Sequence, residues 1–124
     1  MARCAVIYVD GQIEIKQLNS LKDLQETVGG LIESLPLRDG ADVYVNEEGK
    51  YTCYPNIFAT FIMQINKRLN VGDYVSGNMI IVGAPDEDGN DTDIPQWIEE
   101  LVEGINAPEQ TTDELLKGLI DEVN

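Results

Sequence analysis

Histidine is absent from this chain of 124 residues, which holds only two cysteines and eight lysines or arginines. Without histidine there is no Ser-His-Asp triad, no imidazole general base and no His-ligated zinc. The cysteines, Cys4 and Cys53, are far apart in sequence and form no CxxC pair. They read as buried reduced thiols, with a disulfide as the alternative. The eight bases face 23 acids, a net charge of −15. Such a balance excludes non-specific attraction to nucleic acid or to an anionic membrane. No apolar run approaches the ~18 residues of a membrane span, and no leader-like stretch opens the sequence, so a cytoplasmic protein is expected. Walker loops, dinucleotide glycine fingerprints and nucleophile elbows are missing too.

What is present suits one folded domain. The 43% apolar and 25% charged fractions are those of a globular protein, and a chain this long buries roughly 65% of its unfolded surface. Charge is concentrated at one end. Residues 1–84 carry ten acids and seven bases, whereas 85–124 carry thirteen acids and only Lys117. The boundary falls in the Pro/Gly/Asp-rich run Ala84-Pro85-Asp86-Glu87-Asp88-Gly89-Asn90-Asp91. The expected organisation is a body over 1–84, followed by an acidic linker and helical segment over 85–124.

Along the body, residues 3–17 read as a β-hairpin turning at Asp10-Gly11, with Gln12 to Lys16 alternating polar and apolar. Ser20 can cap a helix carrying Leu21, Leu24 and Val28 on one face, which Gly29-Gly30 ends. Leu31 to Leu37 suggests a short strand interrupted by Pro36. Asp42–Val45 and Lys50–Tyr54 flank Asn46-Glu47-Glu48-Gly49 and suggest a second hairpin. Pro55-Asn56 opens a helix over 57–69, with Phe58, Phe61, Ile62, Ile65 and Leu69 as its core stripe. Met79–Val82 reads as a buried strand. Thr92 is placed to cap a helix over 95–102, and a last helix follows Thr112 with Leu115, Leu116, Leu119, Ile120 and Val123 apolar. The predicted class is α+β: a small, mostly antiparallel sheet of hairpins with two packed helices, plus acidic C-terminal helices.

Two segments carry candidate chemistry. Asp86 to Asp93 is rich in carboxylates, but as a calcium loop its sixth position is Asp91 rather than Gly and its twelfth is Trp97 rather than Glu. It reads as a solvated loop, and no metal or cofactor is expected. Lys50-Tyr51-Thr52-Cys53-Tyr54-Pro55-Asn56 places a cation, two aromatics and a capping residue at the start of the longest helix. Helix N-termini attract anions, and tyrosines stack on bases. The plainer reading is a capped helix beside half-buried strand tyrosines.

The motif order resembles a small family of uncharacterised proteins common in bacteriophages, plasmids and bacterial mobile elements. The matching residues are Leu24-Gln25 with Val28-Gly29-Gly30-Leu31-Ile32-Glu33, Asn46-Glu47-Glu48-Gly49-Lys50, Pro55-Asn56 with Ala59, and Gly72-Asp73 with Gly77 leading to Ile81-Val82-Gly83. The resemblance spans residues 4–103 and implies an α+β domain on a mobile element, with no established activity. The acidic end after Gly104 has no precedent in it.

Small phage proteins without catalytic equipment often act stoichiometrically. The expectation is a non-enzymatic counter-defence protein that binds and sequesters a small nucleotide-like signal. Gly29 and Gly30 would allow close approach of the ligand. Backbone N–H groups and Lys50 would hold phosphate, Tyr51 or Tyr54 would stack, and Asn46 or Asn56 would meet polar edges. A homo-oligomer could complete the pocket. The alternative is an acidic inhibitor that mimics nucleic acid and blocks a basic host protein through residues 85–124.

Overall fold

The computed structural model describes residues 2–70 and 72–106. The helix expected after Thr112 lies outside them.

Five strands, β1 (Ala2–Ile7), β2 (Ile13–Leu18), β3 (Ile32–Arg38), β4 (Ala41–Asn46) and β5 (Met79–Gly83), form one antiparallel sheet in the order β2-β1-β5-β4-β3. The last strand in sequence is therefore the central one. All five β5 residues are buried, as a strand covered on both faces and paired on both edges requires. The helices are α1 (Leu21–Val28), α2 (Gly49–Thr52), α3 (Ile57–Ile65) and α4 (Gln96–Asn106). The α+β class and the hairpin-built antiparallel sheet agree with the sequence reading. None of the described helices is long and apolar enough to cross a membrane.

Strand alternation divides the core in two. Ala5, Ile7, Val43, Met79 and Ile81 face α3 and α4, where they pack with Ala59, Ile62, Met63, Ile94, Ile98 and Val102. Cys4, Val6, Ile80 and Val82 face the other way and pack with Val28 and Leu24 of α1. α4 thus belongs to the cover of the sheet, so residues 94–102 supply part of the body's own core.

The β1–β2 hairpin turns at Asp10-Gly11 as expected. α1 is capped by the Ser20 hydroxyl, which accepts from the Asp23 N–H at 3.2 Å. Gly29 ends it in the left-handed region at φ +83°, where glycine carries no Cβ penalty. Leu21, grouped with Leu24 and Val28 on one face, is 58% exposed.

Four other expectations need correction. Residues 50–54 do not form a strand: both edges of β4 are taken, by β3 and β5, so the chain turns into α2 instead. The second hairpin joins β3 to β4 through Asp39-Gly40, both at positive φ. Pro36 does not interrupt β3, because β3 is an edge strand; a bulge between Pro36 and Arg38 turns Leu37 into the core. The Thr92 hydroxyl donates to the Ala84 carbonyl at 2.7 Å rather than capping α4, which begins four residues later.

Candidate functional site

The β4 strand ends at Asn46, and the chain turns at once into α2. The start of α2 lies against the segment 73–77, which is held in place by an antiparallel match with 54–56. The Asn56 N–H donates to the Val75 carbonyl and the Gly77 N–H to the Tyr54 carbonyl, both at 2.8 Å, around a Pro55–Ser76 bridge. The Thr60 hydroxyl secures the same segment by accepting from the Val75 N–H at 2.8 Å. Gly49 is required where α2 meets it, since a Cβ there would lie 2.7 Å from the Ser76 carbonyl oxygen.

Between these elements and the exposed end of β3 is a cavity of about 350 Å³. Leu35, Val45, Leu69 and Val75 make its apolar wall, and Glu33, Asn46, Glu47, Lys50, Tyr51, Arg68, Asp73, Tyr74 and Ser76 make its polar one beside Gly49. Its volume is at the small end of ligand pockets. Lys50 pairs with Asp73, and its ammonium lies 5.2 Å from the centre of the Tyr74 ring. The hydrogen bond from Lys50, followed by one from the Tyr74 N–H, holds the Asp73 carboxyl below the usual carboxylate range. The same hydrogen bond raises the Lys50 ammonium. Arg68 donates from Nε to the Leu37 carbonyl.

Ser76 is the exceptional member. It is only 5% exposed, and its hydroxyl has no hydrogen-bond partner among the described residues. A buried hydroxyl left unpaired costs about 1–3 kcal/mol, and this one belongs to a residue of the cavity wall.

The residues singled out in the sequence are divided by the fold. Asn46, Lys50 and Tyr51 line the cavity just described. Gly29, Gly30 and Asn46 line a second one of about 170 Å³, with Glu47, Glu48 and Thr52. Asn46 therefore stands between two concavities. Its amide donates to the Val28 carbonyl at 3.0 Å and its oxygen accepts from the Glu48 N–H at 2.8 Å, which ties α1 to the turn before α2. The glycine cavity is lined by two carboxylates and no cation, which disfavours a phosphate there. Tyr54 lines neither cavity and is 81% exposed. Asn56 is fully buried and also lines neither. It caps α3 through the Ala59 N–H at 3.0 Å and donates to the Ile7 and Gly77 carbonyls.

Sequence reasoning missed Tyr74 and Ser76, could not place Arg68, and gave Asp73 no role beyond the Gly72-Asp73 motif. Nothing local marks Ser76; its proximity to Gly49 comes from tertiary contact alone. Cys4 is buried, which pushes its thiol up and away from nucleophilic use. In the acidic loop, Asp86 accepts from the Asp88 and Asn90 N–H groups at 2.9 Å and Asp93 from the Arg3 N–H at 2.8 Å. Asp86 thus holds the loop's own backbone, and Asp93 ties the loop to β1.

No curated protein and no solved structure matches the chain. A family model described as a domain of unknown function, DUF3846, matches residues 2–106, and the chain belongs to that family.

Proposed function

We propose that this DUF3846 member is a non-enzymatic binding protein that captures a small nucleotide-like ligand in the cavity between β4, α2 and the 73–77 segment. The observation that supports the reading is the convergence of Lys50, Arg68 and the Tyr51 and Tyr74 rings on one cavity. Lys50 and Arg68 supply cationic donors, and Tyr74 and Tyr51 supply ring faces for a base. The wall also holds Glu33, Glu47 and Asp73. A ligand phosphate would take the place of Asp73 beside Lys50. On a mobile element, the setting implied by the resemblance, capture of such a host signal would serve counter-defence by sequestration.

Calorimetry against cyclic nucleotides and ADP-ribose derivatives tests this. At least one should bind below ~10 μM, about −7 kcal/mol, and be recovered intact on denaturation. Tyr74→Ala and Lys50→Ala should each weaken it about tenfold or more. Silence across the panel, or affinity indifferent to both substitutions, would overturn the assignment.

A further inference from the structure

The side of α3 away from the core remains apolar. The helix has no charged residue and buries only Ala59, Ile62 and Met63. Phe58, Phe61 and Ile65 are 43%, 50% and 54% exposed, and Ile57 is 80% exposed. The core stripe expected from sequence is thus turned largely outward. Residues this large on one short helix call for a cover.

The end of the described chain lies close to that surface. The Asn106 side chain donates to the Ile13 carbonyl at 3.1 Å. Ile13 is paired with Ile7 on the next strand, and the Ile7 carbonyl accepts from Asn56, the cap of α3. Phe58 reaches the same place, its ring 3.2 Å from where a Cβ on Gly11 would stand. The end of α4 and the start of α3 therefore meet at one end of the β1–β2 hairpin, on strands ~5 Å apart.

The remaining sequence suits the surface in length, pattern and charge. Residues 107–111 can span up to ~17 Å. Thr112-Asp113-Glu114 has the composition of a helix start, and Leu115, Leu116, Leu119, Ile120 and Val123 recur at helical spacing. A helix over 113–123 would be ~16 Å long, against ~13 Å for α3. Entering at the start of α3 and running beside it, such a helix would bring Asp121 and Glu122 to Lys67 and Arg68. Neither base pairs with a described carboxylate.

We propose that residues 112–123 fold as an amphipathic helix that docks along Phe58, Phe61 and Ile65 of the same chain. Hydrogen–deuterium exchange on the full chain tests it. Amides of 115–123 should exchange at least about tenfold slower than in the isolated peptide, at any protein concentration. Phe61→Glu should abolish that protection while β1 and β5 stay protected. Leu119→Glu, which lies outside the described core, should do the same and raise binding of an apolar dye. Peptide-rate exchange of 115–123 in the unmodified chain would overturn the proposal. So would protection lost on dilution, which would assign the surface to a second copy.

Discussion

The Asn56 carboxamide serves three backbone groups at once, accepting from the Ala59 N–H and donating to the carbonyls of Ile7 and Gly77. Replacing it by alanine removes a helix cap and strands two carbonyls around a fully buried position. Each orphaned group costs about 1–3 kcal/mol, so Asn56→Ala should lose roughly 3 kcal/mol or more in urea denaturation. A loss below about 1 kcal/mol would mean that the site relaxes or admits water. Its capping role was legible from Pro55-Asn56 ahead of an apolar run. Its clamp on β1 was not, because Ile7 is 49 positions away.

Asp73 and Lys50 are linked more loosely. Their side chains are 35% and 50% exposed, so solvent and salt screen the pair. A carboxyl held below its ordinary value adds stability above that ordinary value, about 3.9, and loses it as pH falls through the folded value. An ammonium held above its ordinary value adds stability below about 10.4, and loses it as pH rises through the folded value. The pair is therefore intact across the neutral range and opens at both extremes. Carboxyl NMR should place the Asp73 midpoint below that of an ordinary aspartate, and Lys50→Ala should return it upward. An unmoved midpoint would show that the Tyr74 N–H alone sets it.

At the scale of elements, turns and caps were readable wherever the signal was local. Asp10-Gly11, Ser20 and Gly29 did what their chemistry suggests. The Asp39-Gly40 dipeptide carried the same hairpin signal, yet Asn46-Glu47-Glu48-Gly49 competed with it. That competition was decided by sheet edges, which no short window contains. The α3 stripe failed for a related reason. Apolar spacing identifies a helix face, but which face the sheet covers depends on how the helix crosses it. Gly49 combines both scales. With a Cβ 2.7 Å from a backbone oxygen of Ser76, Gly49→Ala must push α2 off the 73–77 segment. It should cost about 1–3 kcal/mol by overpacking and weaken ligand binding more than Tyr54→Ala, since Tyr54 lies outside the cavity. Thermal melts and calorimetry on both variants check this, and an undisturbed Gly49→Ala protein would refute the contact.

For the whole molecule, the main core draws on Ile94, Ile98 and Val102 from beyond Pro85. A chain ending at residue 84 would leave Ile7, Ile13, Val43 and Ile81 without that cover. It should lack a cooperative thermal transition and be cleaved rapidly by protease. A chain ending at residue 106 should keep the transition and differ chiefly in the exposure of α3. Cooperative melting of the 1–84 piece would show that α4 is dispensable.

The sequence by itself determined what depends on composition and on neighbours three or four residues apart. It removed histidine chemistry, placed most of the acidic excess after Pro85, and marked the caps, the first hairpin and the α+β class. Only the tertiary structure decided that the last described strand takes the centre of the sheet, that Asn46 separates two cavities, and that Ser76 is buried without a partner among the described residues. Caps and tight turns close their hydrogen bonds within one turn of chain, so residue type settles them. Strand order and cavities arise from competition for edges and burial among segments tens of residues apart, which only the assembled fold resolves.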